Sequence, residues 1–283
     1  MDKVRSVRGR TSVSHSRMSQ GFDTYGLRGI PGSAIDPFLN VDDFRMSEPT
    51  FPPHPHAGFS AVTYMFEDSK GSFVNRDSLG DRSVIGPGAF HWTQAARGMM
   101  HEEVPQLPGI ECHGLQIFVN LRSDHKHEPP RAFHLEAADI PVVALGNGSR
   151  ARVLAGRVMG TSSPMTGLLT PVLLLDVRIA AGDRIRIPVE RDWNCFVMSI
   201  SGAGETGPEA ARQSLQAHEA LGFGVDGDAV ELVAGAAGLQ ILLGAGQPIG
   251  EPVVFGGPFA MTNANDIAAA QQRYRRGEMG RLV

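Results

Sequence analysis

Two histidines, His54 and His56, stand one residue apart in FPPHPHAGFSAVTY (51–64), where a proline-rich entry opens into an apolar, β-prone run. The spacing recurs in GMMHEEVP, which carries His101 and Glu103 at i and i+2. In a β-strand, side chains two apart point to one face, so each pair presents two donors side by side. If the two segments meet inside a small barrel, three imidazoles and one carboxylate converge. Such a set suits iron, manganese, cobalt, nickel, copper or zinc, and the ligand types alone do not choose. An ion held from one side by protein keeps positions open for water or substrate, as catalytic sites do. The plain alternatives are a solvated loop at His54-Pro55-His56 and a helix start at His101-Glu102-Glu103, where carboxylates are favoured. Val104-Pro105 follow at once and carry no helical period, which weakens the second of these.

The elements that must position these donors read as strands. The chain has 283 residues, 42% hydrophobic, enough for one large core or two of ordinary size. Its 34 glycines and 19 prolines fall between short apolar runs. GLQIFVNL (114–121), TPVLLLDVRI (170–179), NCFVMSI (194–200) and GLQILLGA (238–245) each look like one strand closed by turn chemistry. Helical periodicity is confined to the end, where Asn263 or Asn265 can cap DIAAAQQRYRR and Gly277 can stop it. Ile267, Ala270 and Tyr274 then share one stripe. Many short strands and one late helix predict an all-β sandwich or barrel.

RSDHKHEPPR (122–131) is polar and proline-rich and reads as a linker, dividing the chain into residues 1–130 and 131–283. The shared Gly-Leu-Gln-Ile of residues 114–117 and 238–241 is a faint sign of duplication. HxH and HxE pairs in strand-like context occur only in the first part, so one divalent ion is expected there and none in the second.

Bulk properties narrow the partners. A formal net charge of −4 recommends neither a nucleic-acid backbone nor an anionic membrane. Two cysteines exclude a disulfide scaffold. The opening MDKVRSVRGR has no apolar stretch behind it, so no signal peptide is expected, and no run is long enough to span a bilayer. A reducing, cytoplasmic setting is the expectation. GAGETG (202–207) has the form GxGxxG after a strand, but without repeated βα units it reads as a hairpin turn. His125-Lys126-His127 lies in the linker and reads as a solvated loop.

Longer stretches carry a resemblance. HPHAGFSAVTY, NRDSLGDRSVIGPGAFHWTQAARGMMHEEVP and GLQIFVNL closely resemble the pirin family of the cupin superfamily, as do IDPFLNVDDF and EPVVFGGPFAMTNANDIAAAQQRY. The resemblance implies two cupin barrels of the double-stranded β-helix, or jelly-roll, type with a C-terminal helix packed back on them. It implies a single metal in the first barrel, iron(II) first among the candidates, on His54, His56, His101 and Glu103. Some members, notably bacterial ones, are quercetin 2,3-dioxygenases. That activity implies a small-molecule flavonol-like enol and O2 as substrates, with Glu103 as the base. The animal protein is an iron-dependent transcriptional co-regulator, which implies a redox-responsive role through a protein partner rather than direct contact with nucleic acid. Against the family pattern, Ser60 stands for the usual Glu, Asn75 for His, His91 for Gln, Ala96 for Gly and Glu102 for Ser. None of these removes a ligand, but each alters the expected surroundings of the ion.

Overall fold

The computed structural model describes residues 3–282. The first half supplies β1 (Val7–Ser12), β2 (Ser14–Ser19), β3 (Phe22–Leu27), β4 (Phe38–Met46), β5 (His54–His56), β6 (Phe59–Met65), β7 (Phe73–Asp77), β8 (Val84–Ile85), β9 (Phe90–Gln94), β10 (Met99–Pro105), β11 (Cys112–Asn120) and β12 (Arg131–Leu135). The second supplies β13 (Val142–Gly146), β14 (Ser149–Ala155), β15 (Arg157–Val158), β16 (Thr161–Ser162), β17 (Val172–Ile179), β18 (Arg184–Pro188), β19 (Asn194–Thr206), β20 (Gln213–Leu215), β21 (Glu219–Phe223) and β22 (Ala229–Gly246). A small hairpin, β23 (Val254–Gly256) and β24 (Phe259–Met261), leads into the helix α1 (Ala264–Arg275).

Two barrel-like units result. In the first, a seven-stranded antiparallel sheet ordered β12-β9-β6-β11-β4-β3-β2 accompanies a four-stranded sheet ordered β5-β10-β7-β8. Phe22, Phe44, Met46, Met65, Phe73 and Ile85 form an apolar cluster drawn from both sheets. In the second, the path β1-β21-β19-β22-β17-β14-β13 surrounds a core of Val153, Leu175, Val177, Ile187, Val197, Leu232 and Leu243. The largest apolar cluster joins the units, with Val62, Tyr64, Phe90, Trp92 and Ile117 from one and Leu174, Phe196, Met198 and Leu242 from the other. Strand β6 is therefore buried on both faces, which is why FSAVTYM reads as a nearly continuous apolar run. At this seam the Tyr64 hydroxyl donates to Asp176 Oδ2 at 2.8 Å. Arg150 and Arg152 reach back to Glu67 at 2.7 and 2.8 Å.

The cut at residue 130 does not describe the sheets. Strand β1 pairs with β21 of the second unit, and β12, beyond the cut, pairs with β9 of the first. Arg5 goes with β1, its buried guanidinium donating to the carbonyls of Trp193 at 2.7 Å and Arg191 at 2.9 Å. RSDHKHEPPR is not simply a solvated spacer either. His127 is exposed, but Lys126 in the 3-10 turn His125–His127 is 1% exposed. Its Nζ donates to Gly58 O at 2.6 Å, Asn120 Oδ1 at 2.7 Å and Ala260 O at 3.0 Å. A single charge with three carbonyl partners can be buried where an unpartnered one could not.

GAGETG is the far half of β19 rather than a turn. The strand runs on through bulges at Ser199/Ser201 and Gly202/Gly204, with Gly202 at φ 79°, and keeps its ladder to β22. The helix begins as expected: Asn263 Oδ1 accepts from Asp266 N at 3.0 Å, and Gly277 follows at φ 72°. Ile267 and Ala270 are buried, whereas Tyr274 stays 44% exposed and leaves the stripe incomplete.

Candidate metal centre

Strand β5 is only three residues long and lies at a sheet edge beside β10. Its register places His101 opposite His54 and Met99 opposite His56. The two i, i+2 pairs therefore share one face, turned into the first barrel. The three imidazole rings form a near-equilateral triangle, with centroids 4.8 Å apart for His54–His56, 4.7 Å for His54–His101 and 4.8 Å for His56–His101. A donor nitrogen from each lies within 4.8 Å of the others. Among the described residues this is the set of His, Cys, Asp or Glu groups close enough to share an ion.

Backbone carbonyls set the tautomers. Nδ1 of His54 faces Pro52 O at 2.9 Å, and Nδ1 of His56 faces Pro258 O at 3.4 Å. With Nδ1–H donated to a carbonyl, the Nε2 lone pair is free, which is how metal-bound histidines are held. The two Nε2 atoms then face each other at 3.2 Å. Both ring nitrogens of His101 are buried without a protein partner. Burial, aided by the His54 charge, pushes His56 down to about 3. Burial, with the charges of His56, His54 and His91, holds His101 well below the usual range. Two imidazoles kept neutral, opposed lone pairs and an orphaned third ring fit a divalent first-row ion, since ligands must be deprotonated.

Glu103 lies one strand step beyond His101, 9% exposed, and lines the same cavity but is not within the tight histidine cluster. Its Oε2 accepts from Thr63 Oγ1 at 2.6 Å, and the same hydroxyl lies 3.2 Å from Gln116 Oε1. Burial pushes the Glu103 carboxyl up to about 7, against the pull of the Thr63 hydrogen bond. A carboxyl there can hold or release a proton near neutral pH, and a nearby cation would draw it to the charged form.

The donors open onto a cavity of about 360 Å³. Its walls are largely aromatic and sulfur-bearing: Phe22, Phe44, Phe51, Phe73, Phe118, Met18 and Met46. Thr24, Arg28, Asp42 and Gln116 add polar groups, with Arg28 Nη2 donating to Asp42 Oδ1 at 2.6 Å. Such a pocket accepts a flat apolar body with a few polar substituents.

The positions that depart from the family pattern separate. Asn75 pairs with Glu103 across the ladder, is fully buried and donates to Asp81 Oδ2 at 2.8 Å. His91 pairs with Thr63 and so faces the barrel interior. Burial, with His134 and against Asp81, pushes it down to about 4. Ser60 has the opposite parity to Thr63 and points to the seam with the second unit, away from the donors. Glu102 faces outward and pairs with Arg76, whose Nε lies at 2.7 Å. Ala96 sits at φ 44°, a left-handed conformation that explains the family's usual glycine. Sequence reasoning missed Thr63, Gln116, Phe118 and Pro258. The first three alternate with their neighbours on apolar strands, and Pro258 is 202 residues from its partner His56.

Comparison with known proteins places the chain by family and fold. A family model described as Pirin matches residues 12–119, and one described as Pirin C-terminal cupin domain matches residues 174–280. A pirin-like protein of Solanum lycopersicum is 37% identical over 247 residues, 87% of this chain and 82% of that one. Human pirin is 34% identical over 248 residues, 87% of this chain and 83% of its own. A quercetin 2,3-dioxygenase structure from Acinetobacter baumannii superposes with a TM-score of 0.87 at 27% identity, covering 99% of this chain and 100% of that one. The bacterial pirin YhhW of Escherichia coli, solved with nickel(II), has the same fold at a TM-score of 0.64 and 16% identity, covering 88% of this chain and all of its own.

Proposed function

This chain belongs to the pirin family, and on that premise we propose that it is a metal-dependent dioxygenase that cleaves a flavonol-like enol with O2. The observation that carries the reading is the three-histidine cluster opening, with Glu103, onto an aromatic-walled cavity. The similarity to a quercetin 2,3-dioxygenase over nearly the whole chain supports it.

His54, His56 and His101 would hold one divalent ion, iron(II) first, and Glu103 would complete the set. When bound, such an ion supplies a Lewis acid that lowers the cost of an enolate oxygen. The protein's part is binding and proton handling. Thr63 occupies Oε2 of Glu103, leaving Oε1 to take the substrate's hydroxyl proton. With the ion beside it the Glu103 carboxyl would be charged and so able to accept that proton. Phe22, Phe44, Phe73 and Phe118 exclude water and fix the plane of a ring, so that the hydroxyl meets Glu103 in one orientation.

The test is oxygen consumption on a flavonol panel with iron, manganese, nickel and cobalt loading in turn. Turnover that follows metal content supports the reading. No uptake with any metal, beside a partner captured only by the iron-loaded protein, would replace it with the regulatory role of a metal-responsive binding protein.

A further inference from the structure

Three distant pieces of chain meet behind His56. Lys126 Nζ donates to Gly58 O, two residues after His56, and to Ala260 O, two residues after Pro258. Asn120 Oδ1 takes its third hydrogen bond at 2.7 Å. Ala260 N donates to Ala57 O at 3.0 Å, and Ala57 bridges Phe259. A Cβ at Gly58 would lie 1.9 Å from Ala260 O, so this approach of two backbones requires glycine. At the end of the arrangement, Pro258 O faces Nδ1 of His56.

We infer that Lys126 and the β23–β24 hairpin position His56: the hairpin presents the Pro258 carbonyl that fixes the tautomer and aim of the ring, and Lys126 clamps the hairpin in place. This rests on His56 being a metal ligand. The physical case is that a hairpin of two three-residue strands is marginal by itself. Phe255 is 60% exposed and contributes little to holding it. What docks it is Phe259 and Met261 against Ala57 and the helix residues Ile267 and Ala270, together with the Lys126 bonds. Without the ammonium, three buried acceptors lose a charged donor. The hairpin then loosens, and the His56 ring is free to turn or change tautomer. Linkage makes the effect reciprocal: if docking favours the ion, the ion must favour docking.

The experiment uses cobalt(II) as the probe, titrated into the metal-free full-length protein and its Lys126→Met and His56→Ala variants, with visible absorption reporting the ligand field. The wild type is expected to bind one equivalent, and folded Lys126→Met about 10–100-fold more weakly with an altered visible band, the range typical for loss of a group that orients a ligand. In the wild type, cobalt should slow hydrogen exchange at the amides of Gly58 and Ala260 more than at Leu221 of the second unit. A wild type that takes no cobalt, like His56→Ala, defeats the metal-site reading and this inference with it. A wild type that binds, beside a folded Lys126→Met with equal affinity and an identical band, overturns the positioning role and leaves the metal site standing. If Lys126→Met does not fold, exchange in the wild type decides. Slower exchange at Gly58 and Ala260 supports the device, and unchanged exchange there overturns it.

Discussion

The Thr63 hydroxyl donates to Glu103 Oε2 at 2.6 Å, linking a strand of the seven-stranded sheet to the cavity-lining carboxylate on the sheet opposite. One oxygen of Glu103 is thereby fixed by Thr63. Replacing Glu103 by Gln keeps shape and removes the anion. Metal retention and turnover should each fall at least about tenfold with the fold intact. Elemental analysis and oxygen uptake check this, and unchanged values would make Glu103 a bystander.

The metal-free protein should show the Glu103 proton in its stability. The folded value is about 7 against an ordinary 4.5, so between those pH values the folded state binds more protons than the unfolded one. This contribution is fully present below pH 4.5 and is lost as pH rises through 7. His56, held at about 3 instead of 6.5, acts in the opposite sense, its penalty appearing as pH falls below 6.5. Comparing wild type with Glu103→Gln by denaturant unfolding cancels the histidine part. Wild-type stability should fall steadily relative to Glu103→Gln from pH 4.5 to 7, and a difference independent of pH would contradict the buried carboxyl.

Metal stoichiometry should be one ion per chain. The histidine triad lies in the first barrel, whose donors share one cavity. A chelator-resistant content near two would require a second site elsewhere.

Truncation after Met261 removes the helix, whose Ile267 and Ala270 pack with Ala57, Phe259, Met261 and Met279. Burial of Ile267 and Met279 contributes about 1.5–3 kcal/mol each. The melting temperature of the whole molecule should therefore drop by roughly 6–12 °C. Calorimetry showing no shift would remove the helix from the account of stability.

Ser60 and His91 should respond differently to restoration of the family's usual residues. Ser60→Glu puts a carboxylate into the seam between barrels, where Ser60 is fully buried. It should destabilise the protein by about 3 kcal/mol or more and leave metal affinity alone. His91→Gln and Asn75→His act inside the first barrel and should change the rate on quercetin more than about twofold at equal metal content. A double variant with the parent's rate would reduce both to packing.

The histidine cluster was legible because two short signals coincide. A period of two places His54 with His56 and His101 with Glu103, and the antiparallel register of β5 on β10 does the rest. The Gly-Leu-Gln-Ile echo also lands at matching places, in β11 between β6 and β4 and in β22 between β19 and β17. What escaped were side chains whose role depends on distant register. Thr63 is a buried polar residue on a largely apolar strand that also carries Ser60, and nothing local marks it as the partner of Glu103. Lys126 reads as a solvated charge in a proline-rich stretch, because its three acceptors come from residues 58, 120 and 260. GAGETG misled for a related reason: glycines that usually make turns here let one long strand bulge and continue.

The place of β1 sets a timetable for synthesis. Val7 pairs with Phe223, and Arg5 closes on carbonyls of Trp193 and Gly227, so this strand and its neighbour find their partners roughly 200 residues further along the chain. At about 5–20 residues per second, the roughly 200 residues between them take about 10–40 s to appear. Throughout that interval β21 has not been made, and the nascent β1 must wait unpaired. The second barrel is thus edged by a strand made long before its neighbour, and a ribosome that stalls before residue 219 leaves β1 with nothing to join.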